Sequence, residues 1–239
     1  MVKEIPVQNV TEYLQVVDAQ YAKYFRGVCR KSYYLIPSIG REFDEFIGLT
    51  PLEIQFLKQF KEQTIAFINV TPRNDWDWLM IAQHHGMQTR LLDWTANPLV
   101  ALYFACEKDY EIDGGVFRLG EMEILDTFRF PDPFSISKDY VIRPPHISPR
   151  ISAQSAFFTV SNDPRISFEL SPAYEEYGSV YGKIIIPCNK KLPILRDLNR
   201  YGINSATLFP GLEGVSTKLN FEFSDIKRLL KQNMYSDRT

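Results

Sequence analysis

The stretch Gln83 to Cys106, QHHGMQTRLLDWTANPLVALYFAC, constrains this chain more than any other. Asn97 is a good N-cap and Pro98 is tolerated at the first helical position, so a helix starts there. Leu99 to Cys106 carries almost no polar side chain. A helix that is apolar all round must be buried on nearly every side. Just ahead of it stand His84, His85, Arg90, Asp93 and Trp94, which a core helix does not need. Polar groups set beside a core must find partners or serve a ligand. The bland alternative is a buried Arg90–Asp93 ion pair that organises the turn and does no chemistry.

The rest of the chain reads as elements arranged around that stretch. Val10, Tyr13, Leu14, Val17 and Tyr21 have helical spacing, with Asn9 as cap and Glu12 three residues on; that helix is expected to end near Lys23. Tyr24 to Arg30 reads as a short strand. Arg26 within it is either an edge arginine whose head reaches solvent or an anion-binding guanidinium on a rigid strand. In the second case Gly27 lets a ligand approach the backbone. Thr50-Pro51-Leu52-Glu53 is a capping box opening a helix to about Ile68. Asn74 caps the next helix, which delivers Gln83, His84 and His85 before Gly86 stops it. Val116 to Leu119 is a strand, and Glu121 to Pro149 an irregular excursion. Arg150 to Val160 is read as a returning strand carrying Ser152 and Gln154. Gly182 to Pro187 is a buried strand, and Leu192 to Tyr201 a helix. Pro210 to Gly214 is a turn opening a short helix, and Ser224 to Leu230 is amphipathic.

Composition narrows the function classes. With 239 residues, 45% of them hydrophobic, and no linker or charge block, one large domain is expected. A net charge of −2 leaves no overall nucleic-acid footprint. Cys29, Cys106 and Cys188 are too far apart for a zinc site and fit a reduced, cytoplasmic compartment. The first residues, MVKEIPVQNV, have no apolar signal region, and no apolar run approaches the ~18 residues of a membrane span. Adjacent histidines on a helix point about 100° apart, so His84 and His85 do not share one ion comfortably. No metal is expected, although one of them with Asp93 stays open as a ligand pair. Nothing resembles a dinucleotide-binding glycine motif, a P-loop or a hydrolase nucleophile elbow.

Three stretches together resemble the FRG domain family: Phe25-Arg26-Gly27 with the Gln83–Ala105 motif, Arg150 to Gln154 followed by Phe157, and Gly202-Ile203 with Thr207 to Pro210 and Gly214. The resemblance spans 10–219 and leaves 220–239 as an amphipathic stretch and tail. Gln88, Ser155 and Glu213 depart from the family's usual Pro, Gly and Asp.

An arginine on an early strand, Arg26, a later strand with small hydroxyl residues, Ser152 with Gln154, and a late acidic residue, Glu213, resemble more weakly the layout of the ADP-ribosyltransferase superfamily, and that resemblance implies more. The fold would be a single α/β (α+β) domain with a mixed, largely antiparallel split sheet and helices packed on it. NAD would be the co-substrate. Arg26, Gly27, His85, Thr89, Arg90, Asp93, Trp94 and Ser152 would surround it, while Glu213, Arg26, His84 and Gln154 would form the catalytic set. The partners implied are a macromolecular acceptor (RNA, DNA or protein) and an antitoxin neutralising what would be a toxin or anti-phage defence effector. Breaking the nicotinamide–ribose bond builds oxocarbenium charge that a carboxylate such as Glu213 stabilises. An arginine fork suits the diphosphate, and Trp94 or Tyr24 could stack on a base. The alternative is a non-catalytic module that senses a nucleotide. These residues are expected to converge on one pocket.

Overall fold

The computed structural model describes residues 4–19, 21–41, 48–146, 148–170 and 183–236. The strands are β1 (Glu4–Pro6), β2 (Tyr24–Val28), β3 (Leu91–Thr95), β4 (Gly114–Leu119), β5 (Tyr140–Ile142), β6 (Ala156–Val160) and β7 (Lys183–Ile186). The helices are α1 (Val10–Asp18), α2 (Leu49–Thr64), α3 (Asp75–His84), α4 (Pro98–Cys106), α5 (Pro149–Ala153), α6 (Cys188–Arg200), α7 (Ser205–Leu208) and α8 (Leu212–Ser236).

The seven strands form one sheet in the order β1-β7-β4-β2-β3-β6-β5. Only β1 and β7 run parallel. Strand β2 pairs with β4 from Tyr24 opposite Leu119 to Val28 opposite Gly115, and β3 pairs with β6 from Leu91 opposite Val160 to Thr95 opposite Ala156. Between β2 and β3 a single pair, Phe25 opposite Thr95, joins the two halves. The chain therefore adopts the expected α/β domain with a mixed, largely antiparallel sheet, and the sheet splits at β2/β3.

The apolar helix α4 is the core. Val100, Ala101, Leu102, Ala105 and Cys106 have no exposed surface. Asn97 caps it by accepting a hydrogen bond from the Leu99 amide at 3.0 Å. Its approach to β2 explains Gly27: a Cβ there would fall 1.9 Å from the Ala101 carbonyl oxygen and 2.7 Å from the Ala105 nitrogen. The glycine thus answers helix–strand packing on one side, while its other side lines a cleft. Lys191 on α6 is fully buried and ties the layers together. Its ammonium donates to the carbonyls of Cys29, Lys108 and Asp109 at 2.7–3.0 Å.

Several expected boundaries shift for identifiable reasons. Asn9 caps α1 by accepting from the Glu12 amide, but the helix ends at Asp18. No capping box opens α2: Gly48 is its N-cap, and Glu53 turns inward. Asn74 does cap α3, and Gly86 takes φ +89° just beyond its end. The stretch expected to be one strand from Arg150 breaks in two. Ser148 caps α5 by accepting from the Ile151 amide, with Pro149 as first residue, and strand begins only at Ala156. Ser152 and Gln154 therefore sit on and just after a short helix. Helix α6 begins at Cys188, and what was read as a short helix and a separate amphipathic stretch is one 25-residue helix, α8. Gly182, expected to start a strand, lies outside the described residues. Among the described residues no helix is long and apolar enough to cross a membrane.

Candidate active site

The split between β2 and β3 opens into a cleft of about 270 Å³. Its walls come from both half-sheets and from α3, α4 and α5. They include Arg26, Gln83, His84, Asp93, Arg150 and Gln154, with Phe25, Met80, Phe104 and Phe158 as apolar lining.

Arg26 spans the split. Its Nη1 donates to the Asp93 carbonyl at 2.6 Å and stands 3.5 Å from the Asp93 carboxylate. The Arg26 side chain is 16% exposed and that of Asp93 65%. Burial lowers the Arg26 pKa, Asp93 pulls it back up, and Arg41 lowers it further. Asp93 is held in turn by Gln83, whose Nε2 donates to its carboxylate at 2.8 Å. Gln83 is itself anchored by the Thr89 hydroxyl. This chain from Thr89 through Gln83 to Asp93 aims the carboxylate into the cleft. Nothing in the spacing of Gln83 from Asp93 marks this role in the sequence.

His84 closes one wall. Burial, then the charge of Arg150, then His85 lower its pKa from the ordinary histidine value, which favours the neutral ring. The two histidine rings lie edge to face, with centroids 5.0 Å apart and planes at 88°. His85 faces a second hollow of about 260 Å³, lined also by Phe67, Asn69, Val70 and Ser148. His84 and Ile151 belong to the walls of both hollows. Among the described residues no group of three or more His, Cys, Asp or Glu is placed to hold a metal ion.

The expected convergence is therefore partial. Arg26, His84 and Gln154 share the cleft with Gly27, Asp93 and Trp94. Arg90 does not join it, nor does it pair with Asp93. Its guanidinium is buried against Glu53, donating through Nε at 2.9 Å and Nη2 at 2.5 Å, and Thr89 beside it is buried too. Glu213 stands exposed in the first turn of α8, outside the cleft lining. Ser152 is exposed and bonded to the His146 ring at 3.1 Å. Trp94 is 3% exposed and donates its indole N–H to Thr159 at 3.0 Å, and Tyr24 is packed 4.9 Å from Phe157, so neither offers an open face for stacking. Gln154 reaches across to donate to the Leu208 carbonyl at 3.0 Å, tying α5 to α7. Two arginines that sequence reasoning did not assign to the site, Arg41 and Arg150, act on it: their charges oppose protonation of Arg26 and His84.

Residues 21–113 match the family model of the FRG domain. The matched stretch contains Arg26, Gln83, His84 and Asp93, while Arg150, Gln154 and Glu213 lie beyond its end. No curated protein and no solved structure matches the chain.

Proposed function

The chain carries an FRG domain, and from its cleft we propose that it cleaves NAD and transfers the ADP-ribose to a macromolecular acceptor, nucleic acid or protein. One observation carries this reading: the Arg26 guanidinium lies across a split sheet with one carboxylate among the described cleft residues, Asp93, in front of it. With Arg41 and Arg150 acting nearby, cationic side chains outnumber Asp93 among the described residues around the cleft, in a chain of net charge −2. Guanidinium forks suit a diphosphate.

As the C1′–N bond breaks, its electron pair leaves with nicotinamide and positive charge builds on the ribose. Asp93 is the carboxylate in the cleft that would stabilise that charge. The acceptor nucleophile then bonds to C1′ and gives its proton to His84, whose lowered pKa keeps the ring free to take it. A cleft of about 270 Å³ is small for a ligand pocket and would hold one end of the dinucleotide. The second hollow, across His84 and Ile151, is where the acceptor would enter. Unregulated NAD consumption harms a cell, so a toxin or defence effector held by a neutralising partner fits this reading.

A non-catalytic nucleotide sensor is the second reading. It is favoured by the partners Asp93 already has in Gln83 and Arg26, which leave it less free to respond to a developing charge. Incubation with NAD separates the two. Nicotinamide release that rises when RNA, DNA or protein acceptors are added supports transfer. Binding of NAD or ADP-ribose with no release would replace it with the sensor.

A further inference from the structure

One face of α8 is anchored. Asp225 is 9% exposed and takes the Arg196 guanidinium at 2.6–2.8 Å, and Glu222 accepts from Asn199 and Lys218 at 3.0 and 2.7 Å. Gly214 fits where a Cβ would meet the Phe209 carbonyl oxygen at 2.0 Å. The face beside it is apolar and open. Leu212, Val215, Leu219, Phe223, Ile226 and Leu230 are 88%, 46%, 55%, 70%, 57% and 60% exposed. Their steps of three and four residues average the helical repeat, so they form one straight stripe along a helix about 37 Å long. Six large apolar side chains aligned in water mark an interaction surface.

We propose that this stripe is covered by the same stripe of a second copy of the chain, with the two α8 helices antiparallel. The order of the side chains is one argument. Pairing centred near residue 221 sets Leu212 opposite Leu230 of the second copy, Leu219 opposite Phe223, and Val215 beside Ile226. Charge is the other. Glu213 near the start of α8, and Lys227 and Lys231 near its end, are exposed on the same flank of the stripe. A two-fold axis between antiparallel helices brings like flank to like flank, so each Glu213 meets Lys227 and Lys231 of the other copy. The antiparallel helix dipoles add to that match.

The test is the mass in solution, by light scattering and sedimentation over micromolar concentrations. The wild-type chain is expected at twice its 27.8 kDa. Leu219→Glu with Phe223→Glu is expected at the single-chain mass with unchanged helical circular dichroism. Glu213→Lys weakens the dimer, Lys227→Glu with Lys231→Glu weakens it likewise, and the three changes together restore it. A wild-type chain that stays single at every concentration overturns the proposal and hands the stripe to a different protein or a lipid surface. A dimer that the triple charge swap fails to restore overturns the antiparallel pairing.

Discussion

Arg90 and Glu53, 37 residues apart in sequence, form a two-pronged ion pair whose side chains are 1% and 2% exposed. The arginine also donates to the Pro133 carbonyl at 3.2 Å and lies over the Phe134 ring. It thereby fastens α2 and the 130s segment to the start of β3. Breaking a buried pair by removing one partner costs about 3–5 kcal/mol, whereas replacing both by apolar groups is often close to neutral. Glu53→Gln and Arg90→Met are each expected to cost about that much in urea unfolding, and Glu53→Met with Arg90→Met much less. Single variants within about 1 kcal/mol of wild type would refute this role.

Arg26 is expected to set affinity for NAD. Charged hydrogen bonds contribute about 1.5–3 kcal/mol each, so Arg26→Ala weakens binding by roughly tenfold or more. Isothermal titration with NAD or ADP-ribose measures it, and unchanged affinity would remove Arg26 from the site.

Two carboxylates compete for the catalytic role. With Asp93 in the cleft and Glu213 exposed outside it, Asp93→Asn is expected to cut nicotinamide release by about a hundredfold at an unchanged melting temperature. Glu213→Gln should leave release intact. The opposite pattern would return the role to Glu213 and require α8 to move toward the cleft.

His84 gives a pH signature. Its folded pKa lies below the ordinary 6.5. Nicotinamide release is therefore expected to stay level through pH 6.5 and to fall only below it. Stability has a definite sign too. Between the two values the unfolded chain binds the proton and the folded chain does not, so stability drops as pH falls from about 6.5 toward the folded value. Above 6.5 His84 contributes no pH dependence. Titration of its ring signals by NMR, with His84→Asn as control, tests both; a ring that titrates above 6.5 would sink the idea.

Gly27→Ala should be among the most damaging single changes, at about 4 kcal/mol or more, because the added carbon meets backbone atoms of α4 that cannot step aside. Gly86→Ala is the comparison. Its φ is +89° with nothing within 4 Å, so the cost is the conformational one, about 1–2 kcal/mol. Similar melting temperatures for the two variants would disprove the packing argument.

What the sequence revealed depended on how local each signal was. Asn9, Asn74 and Asn97 announced three helix starts because an N-cap acts within three residues. The Ser148-Pro149 signal for α5 was equally present and was overridden by the apolar Phe157-Phe158 that follows. Strand β3 escaped because Leu91, Leu92, Trp94 and Thr95 are all buried, so no alternation marks it. Gly214 reads in the sequence as the end of a turn opening a helix, yet it is a close contact inside the first turn of α8. His84 and Asp93 stand out in the sequence by their crowding beside an apolar core and Arg26 by its place inside a strand, and the three line one cleft. Glu53 as the partner of Arg90 was not, because no local rule links residues that distant.

The one-pair junction at Phe25–Thr95 has a mechanical consequence. A β-ladder resists shear in proportion to its length, and here that resistance is concentrated in one rung. The longer ladders on either side hold each half-sheet, so any relative displacement of the halves is expected at the seam, with the Arg26–Asp93 contact as its latch. The span of the cleft is thereby separated from the rigidity of its walls. A guest that loosens the latch changes the aperture and leaves every other ladder of the sheet in register.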